Sequence, residues 1–211
     1  MFTLKELIHV LLVILLFAFI IGFLQDTDAL LIALALAAII LFVNVIAKKI
    51  TAAAVDAKIE HKIWQWQRWG WYERSHFKRP IPAGLIFPFV LIWLSYPFGF
   101  LKILTFLQFD AKPSITRVAK RRGAYRYSEL TEWHIALIAG GGIIATLVLA
   151  LIAYLLNYPE LARFAIFYSS WNTLLPISQL DGCKILFGSK IFWFILSAIC
   201  LIGLVFAFFI I

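Results

Sequence analysis

The chain has 211 residues, 64% of them apolar, and a formal net charge of +8. An apolar share this far above the roughly one-half of a soluble domain excludes an ordinary soluble globule. Several apolar runs approach the ~20 residues that cross a bilayer core, which predicts an all-α polytopic membrane protein built as a single domain. The basic residues sit in short loops beside those runs, so they are assigned to cytoplasmic loop bias and anionic headgroups, with no nucleic acid as partner.

In chain order, the first apolar run covers about 7–24 and follows Lys5. No small-residue cleavage site precedes Asp26, so a retained helix is expected rather than a cleaved signal. The turn Gln25 to Asp28 leads into a second run, about 29–47, and the two form a predicted helical hairpin. Residues 47–81 then hold eight Lys/Arg against three Asp/Glu. Within them Ala57 to Trp64 alternate apolar with polar residues, and period two predicts a strand. Trp64, Trp66, Trp69 and Trp71, with Arg68 and Arg74, have the composition of an interfacial belt.

Residues 82–101 are apolar enough to span but contain Pro82, Pro88, Pro97 and Gly99. Proline removes helix hydrogen bonds, so this is a kinked span or a re-entrant segment. A second interfacial strand is expected over 102–112. The loop 108–132 is again basic, six Lys/Arg against three acids, and densest at Lys120-Arg121-Arg122. A span over 133–156 carries Gly140-Gly141-Gly142, which permits close helix packing. Further spans are expected over 164–180 and 191–211. Loops 47–81 and 108–132 are both predicted to be cytoplasmic, which the positive-inside rule allows when 82–101 re-enters. Cys183 and Cys200 form no CxxC and read as buried thiols.

Chemistry concentrates between Trp171 and Phe187, where Asn172, Pro176, Asp181 and Gly182 interrupt an apolar run. A carboxylate inside hydrocarbon is expensive and marks a functional site. The pattern Asn172, Pro176, Leu180-Asp181-Gly182 resembles the site-2 protease family of intramembrane zinc metalloproteases. There the Asp of an L-D-G motif on a broken core helix ligates zinc, and an Asn before it faces the substrate backbone. Here Asn172 stands one residue further from Pro176 than the common pattern, and Cys183 replaces a frequent second glycine. The resemblance implies a three-helix core with an interfacial sheet after the first core helix. Residues 29–49, 57–112, 133–156 and 164–182 occupy those places in order. The stretch 140–146 takes the place of the family's G-P-x-x-N segment, with Ile143 and Thr146 near its proline and asparagine.

The other two zinc ligands of that family come from HExxH, whose two histidines share a helix face and whose glutamate is the general base. The chain has no HExxH. In the best register Asn44 and Lys48 fall at the histidine positions and Val45 at the glutamate. A lysine ammonium repels a metal cation, and valine takes no proton from water. Glu6 and His9 form a partial ExxH, read as a solvated helix start. His61, His76 and His134 have no partner His at helical spacing; His61 is read as a strand-face residue and His134 as an interfacial one. The expectation is therefore a site-2-protease-like helical core without catalysis: a pseudoprotease with no cofactor. In it Asp181 pairs with Lys48, and a groove at Asn172, Pro176 and Gly182 holds a transmembrane segment or partner membrane protein. Two alternatives stay open: an active zinc metalloprotease with an atypical ligand set, and an unrelated small subunit of a membrane complex or transporter.

Overall fold

The computed structural model describes residues 3–22, 27–68, 76–95, 106–114 and 130–209. It is mostly helical, with two small sheets. Helix α1 spans Leu4–Ile21 and α2 Thr27–Ala54. Strands β1 (Ala57–Ile63), β2 (Trp66–Arg68) and β3 (His76–Ile81) follow. Then come α3 (Ala83–Ser95) and β4 (Leu107–Pro113). The C-terminal part is α4 (Glu132–Leu155), α5 (Pro159–Leu174), α6 (Asp181–Gly188) and α7 (Lys190–Phe209).

Four of these helices, α1, α2, α4 and α7, are long and apolar enough to cross a membrane. Their starts follow simple rules. The Thr3 hydroxyl accepts from the Glu6 N–H, and the Thr131 hydroxyl from the His134 N–H, each satisfying one orphan donor of a first turn. Helix α5 starts on Pro159, where a missing N–H costs nothing.

Helix α4 is the hub, packed against α2, α5 and α6, while α7 covers α5 and α6 and α1 lies on α2. The glycine triplet explains why α4 can sit there. A Cβ at Gly141 would collide with Thr51 of α2, one at Gly142 would lie 2.6 Å from Lys48 Cε, and one at Gly140 would meet Phe192 of α7. Three consecutive glycines point in three directions on a helix, so α4 approaches two neighbours at once. The buried side of α2 runs Ala33, Ala37, Ile40, Leu41, Asn44, Val45, Lys48 and Ala52, the spacing of one helical face. Asn44 and Lys48 thus belong to the same buried stripe as the alanines.

The alternation over 57–63 forms β1 as expected, with Ala57, Ile59, His61 and Ile63 buried. β1 pairs antiparallel with β4, Ile59 opposite Ala111 and His61 opposite Phe109; β2 pairs antiparallel with β3. β1 also packs against α1 and α2. The second strand, expected over 102–112, is described over Leu107–Pro113; residues 102–105 lie outside the described residues. One expected span is corrected in its bounds. The run expected over 164–180 is the 16-residue helix α5, which ends at Leu174. Pro176 cannot continue it, and Leu175 before the proline is extended (φ −97°, ψ 90°). Sixteen residues fall short of the ~20 needed to cross a bilayer. Within 82–101, expected to be kinked or re-entrant, α3 covers Ala83–Ser95 with Pro88 inside it, and 96–101 lie outside the described residues. Pro97, Gly99, Trp69, Trp71, Arg74 and Lys120-Arg121-Arg122 lie outside the described residues.

Candidate functional site

The break between α5 and α6 decides where the carboxylate goes. Leu180 is extended (φ −70°, ψ 163°), and Asp181 opens α6 at its first turn, where the positive end of the helix favours an anion. Gly182 is required by space. A Cβ there would strike the carbonyl oxygen of Thr173 and lie 3.0 Å from that of Asn172, both at the end of α5. Leu180-Asp181-Gly182 therefore folds α6 back onto α5 and turns Asp181 inward. Asp181 and Gly182 are buried, whereas Pro176 sits on the exposed link.

Asp181 meets Lys48. The Lys48 ammonium donates to Asp181 Oδ2 at 2.5 Å, and both side chains are essentially excluded from solvent, at 0% and 1% exposure. The partners are 133 residues apart in the chain. Two charges taken out of water together must satisfy each other, because either alone carries a large desolvation penalty. Gly142 makes room for the lysine stem, and Asn44, one turn before Lys48, lies beside the same glycine. Val45 is fully buried among apolar neighbours.

The pair sits in a wider polar interior. Asn172 is buried; its Nδ2 donates to the Tyr168 carbonyl at 2.8 Å. Asp181 Oδ1, Asn44 Oδ1, Asn172 Oδ1 and the Tyr168 hydroxyl are buried without a hydrogen-bond partner among the described residues. Thr146 and Ser169 share a 2.6 Å hydrogen bond between α4 and α5. Lys184 donates to the Phe109 carbonyl and lies 3.6 Å from the centre of the Phe109 ring, over which Lys48 also lies, at 5.5 Å. Burial pulls the Lys184 ammonium down to about 8, against the restoring charge of Asp181.

A second ionic cluster adjoins the first. Glu6 accepts from Lys49 Nζ at 2.7 Å and from the His61 backbone N–H at 3.2 Å, and its Oε1 lies 2.8 Å from His61 Nδ1. Glu6 is 2% exposed, so the solvated helix-start reading is corrected: β1 lays His61 against the first turn of α1 and covers it. Burial lowers the basicity of His61, the Glu6 bond opposes it, and the charge of Lys48 adds to the lowering. His9 takes no part in this cluster's hydrogen bonds. His134 is half-buried at the start of α4, and the side chain of His76 lies outside the described residues. Cys183 is half-buried and Cys200 buried, both free. Among the described residues, no three His, Cys, Asp or Glu side chains converge as a metal-binding group.

No family model, curated protein or solved structure matches this chain.

The structure thus brings Asn44, Lys48, Asn172, Asp181 and Gly182 into one neighbourhood and leaves Pro176 on its rim. Glu6, Lys184, Phe109 and Tyr168 were not read from the sequence as part of it. Glu6 carried the one available signal: an acid in the first turn of an apolar helix needs a partner, and the basic loop supplies two.

Proposed function

We propose that this chain is a membrane protein with a degenerate site-2-protease-like core, a pseudoprotease in which an ion pair stands in place of a metal centre. The observation that carries the reading is the Lys48–Asp181 pair, at 2.5 Å and fully buried. The two residues are those placed by the family pattern at a histidine ligand and at the aspartate ligand. The packing supports the reading too: α2, α4 and the α5–α6 unit meet around the pair, and β1–β4 comes from between α2 and α4 in sequence.

The side chains around Asp181 do not suit zinc. An ammonium already saturates Oδ2, Asn44 offers only an amide, and Val45 has no atom that accepts a proton. No hydrolytic step can be built from these groups. What remains is recognition. The oxygens of Asn44, Asn172 and Asp181 are acceptors without donors among the described residues, and Asn172 and Asp181 flank the exposed link 176–179 in the chain. An extended or unwound stretch of a partner's transmembrane segment supplies peptide N–H donors of the kind these oxygens lack, which makes a membrane protein or transmembrane peptide the proposed partner.

The test places a photo-crosslinking amino acid at Ile177, which is 42% exposed on the link. The protein is expressed in its native membrane, and adducts are read by mass spectrometry. The reading predicts one intact membrane-protein partner whose adduct is lost when Asn172→Ala is added. A partner recovered as a cut fragment contradicts inactivity. Adducts that ignore Asn172→Ala contradict recognition at this site.

A further inference from the structure

A second site lies away from the ion pair, where the β2–β3 ribbon meets α3. A cleft of about 400 Å³ opens there, inside the ~300–1,000 Å³ range of small-molecule pockets. Trp66 of β2, Phe77 and Ile81 of β3, and Ile86, Phe87 and Val90 of α3 line it, and its lining surface is entirely apolar. The walls are large and open: Trp66, Ile86 and Val90 are each more than 40% exposed. A cleft with an apolar open surface takes hydrocarbon.

The strand that supplies half of one wall also supplies charge. β3 reads His76-Phe77-Lys78-Arg79-Pro80-Ile81, and Lys78 and Arg79 are exposed. The β2–β3 pairing is irregular between Trp66 and Arg68, but Arg79 lies two residues from each of the cleft residues Phe77 and Ile81, which carries its guanidinium to the neighbourhood of the cleft. Lys78 is its neighbour in the strand. A guanidinium at the lip of an apolar cleft matches a phosphate joined to a hydrocarbon tail. Helix α3 strengthens this. Over its described residues, Ala83–Ser95, it is apolar along nearly its whole length, with Pro88 inside it. Trp93 and Leu94 at its end are 76% and 69% exposed, so the helix presents its outer face to hydrocarbon. An apolar, proline-containing helix beside a basic ribbon and an aromatic wall has the composition of an element lying at the headgroup boundary.

We infer that the β2–β3–α3 cleft is a binding site for an anionic phospholipid, one acyl chain lying against Trp66, Ile86 and Val90 and the phosphate meeting Arg79, with the neighbouring Lys78 adding its charge to the same region. The site is separate from the Lys48–Asp181 interior and does not depend on the pseudoprotease reading.

The experiment uses the full chain in detergent, titrated with dioleoyl-phosphatidylglycerol or dioleoyl-phosphatidylcholine and read by native mass spectrometry. Because the acyl chains and the phosphate are the same, the two arms isolate the headgroup's net negative charge, which choline's ammonium cancels. Soluble glycerol phosphate is a third arm and isolates the headgroup. The wild type is expected to retain one phosphatidylglycerol and to bind phosphatidylcholine more weakly. Lys78→Gln with Arg79→Gln should weaken phosphatidylglycerol about 25-fold, at roughly fivefold per basic side chain, and leave phosphatidylcholine unchanged. Ile86→Trp, which fills the cleft, should lower retention of both lipids. Equal binding of the two lipids by the wild type, or glycerol phosphate binding as tightly as the lipid, overturns the inference. Ile86→Trp with wild-type retention overturns it as well. Should Ile86→Trp fail to fold, the surface double substitution still decides the outcome, since unchanged phosphatidylglycerol affinity refutes the site.

Discussion

Replacing Asp181 by Asn tests what the ion pair contributes, because it removes one charge and keeps the shape. Lys48 would then be a fully buried ammonium that has lost its carboxylate, with Lys184 as a like charge nearby. Breaking a buried pair from one side costs about 3–5 kcal/mol, and this case belongs at the upper end because two ammonium groups then share the region. Lys48→Met is expected to cost less, nearer about 3 kcal/mol, because Lys184 remains as a cation that favours Asp181. The double variant removes both charges and leaves a neutral amide beside a thioether of similar length. It should lie within about 2 kcal/mol of the wild type, since replacing both partners of a buried pair is often near neutral. The expected coupling is therefore several kcal/mol, far above the ~0.5 kcal/mol scatter of independent sites. The assay is reversible unfolding in mixed micelles, followed by circular dichroism, for the wild type and the three variants. Additive single effects would refute the reasoning, and so would a double variant less stable than either single one.

Three further outcomes follow from the same geometry. Gly142→Ala should destabilise by about 1–3 kcal/mol in the same unfolding assay, because the new methyl sits 2.6 Å from Lys48 Cε and 3.0 Å from Asn44 Nδ2. Glu6→Gln should cost about 3 kcal/mol, since it removes a buried carboxylate bonded to Lys49 and His61; a change under ~0.5 kcal/mol would place Glu6 back at a solvated helix start. Lys184, held near 8 when folded, binds its proton less tightly than the unfolded chain does, so stability should rise with pH between about 8 and 10.5. The rise amounts to about 3 kcal/mol. Subtracting the profile of Lys184→Met from that of the wild type isolates it, and a flat difference rejects the assignment.

How much of this was legible follows from what each feature depends on. The long apolar helices were visible because hydrocarbon demands continuous apolar runs, and β1 was visible because period two survives even inside a loop. The place of α5 was harder. Its apolar run continues through Leu180, and only Pro176 says that the helix stops at Leu174. Asn44, Lys48 and Asp181 were found by register against one motif, and their meeting depended on α4 approaching closely at Gly142. The Glu6–His61 contact was not legible. It depends on where β1 crosses the first turn of α1, a placement that strand alternation does not encode. The cleft under β3 was equally hidden, since Trp66, Phe77 and Ile86 look alike to any rule that scores interfacial aromatics one at a time.

The central claim is that an ammonium has taken the place of a metal, and metal content tests it most directly. The protein purified without added chelator is analysed by plasma mass spectrometry, with Asp181→Ala in parallel. The account predicts zinc well below one equivalent in both, with no difference between them. One equivalent of zinc in the wild type, lost in Asp181→Ala, would contradict it.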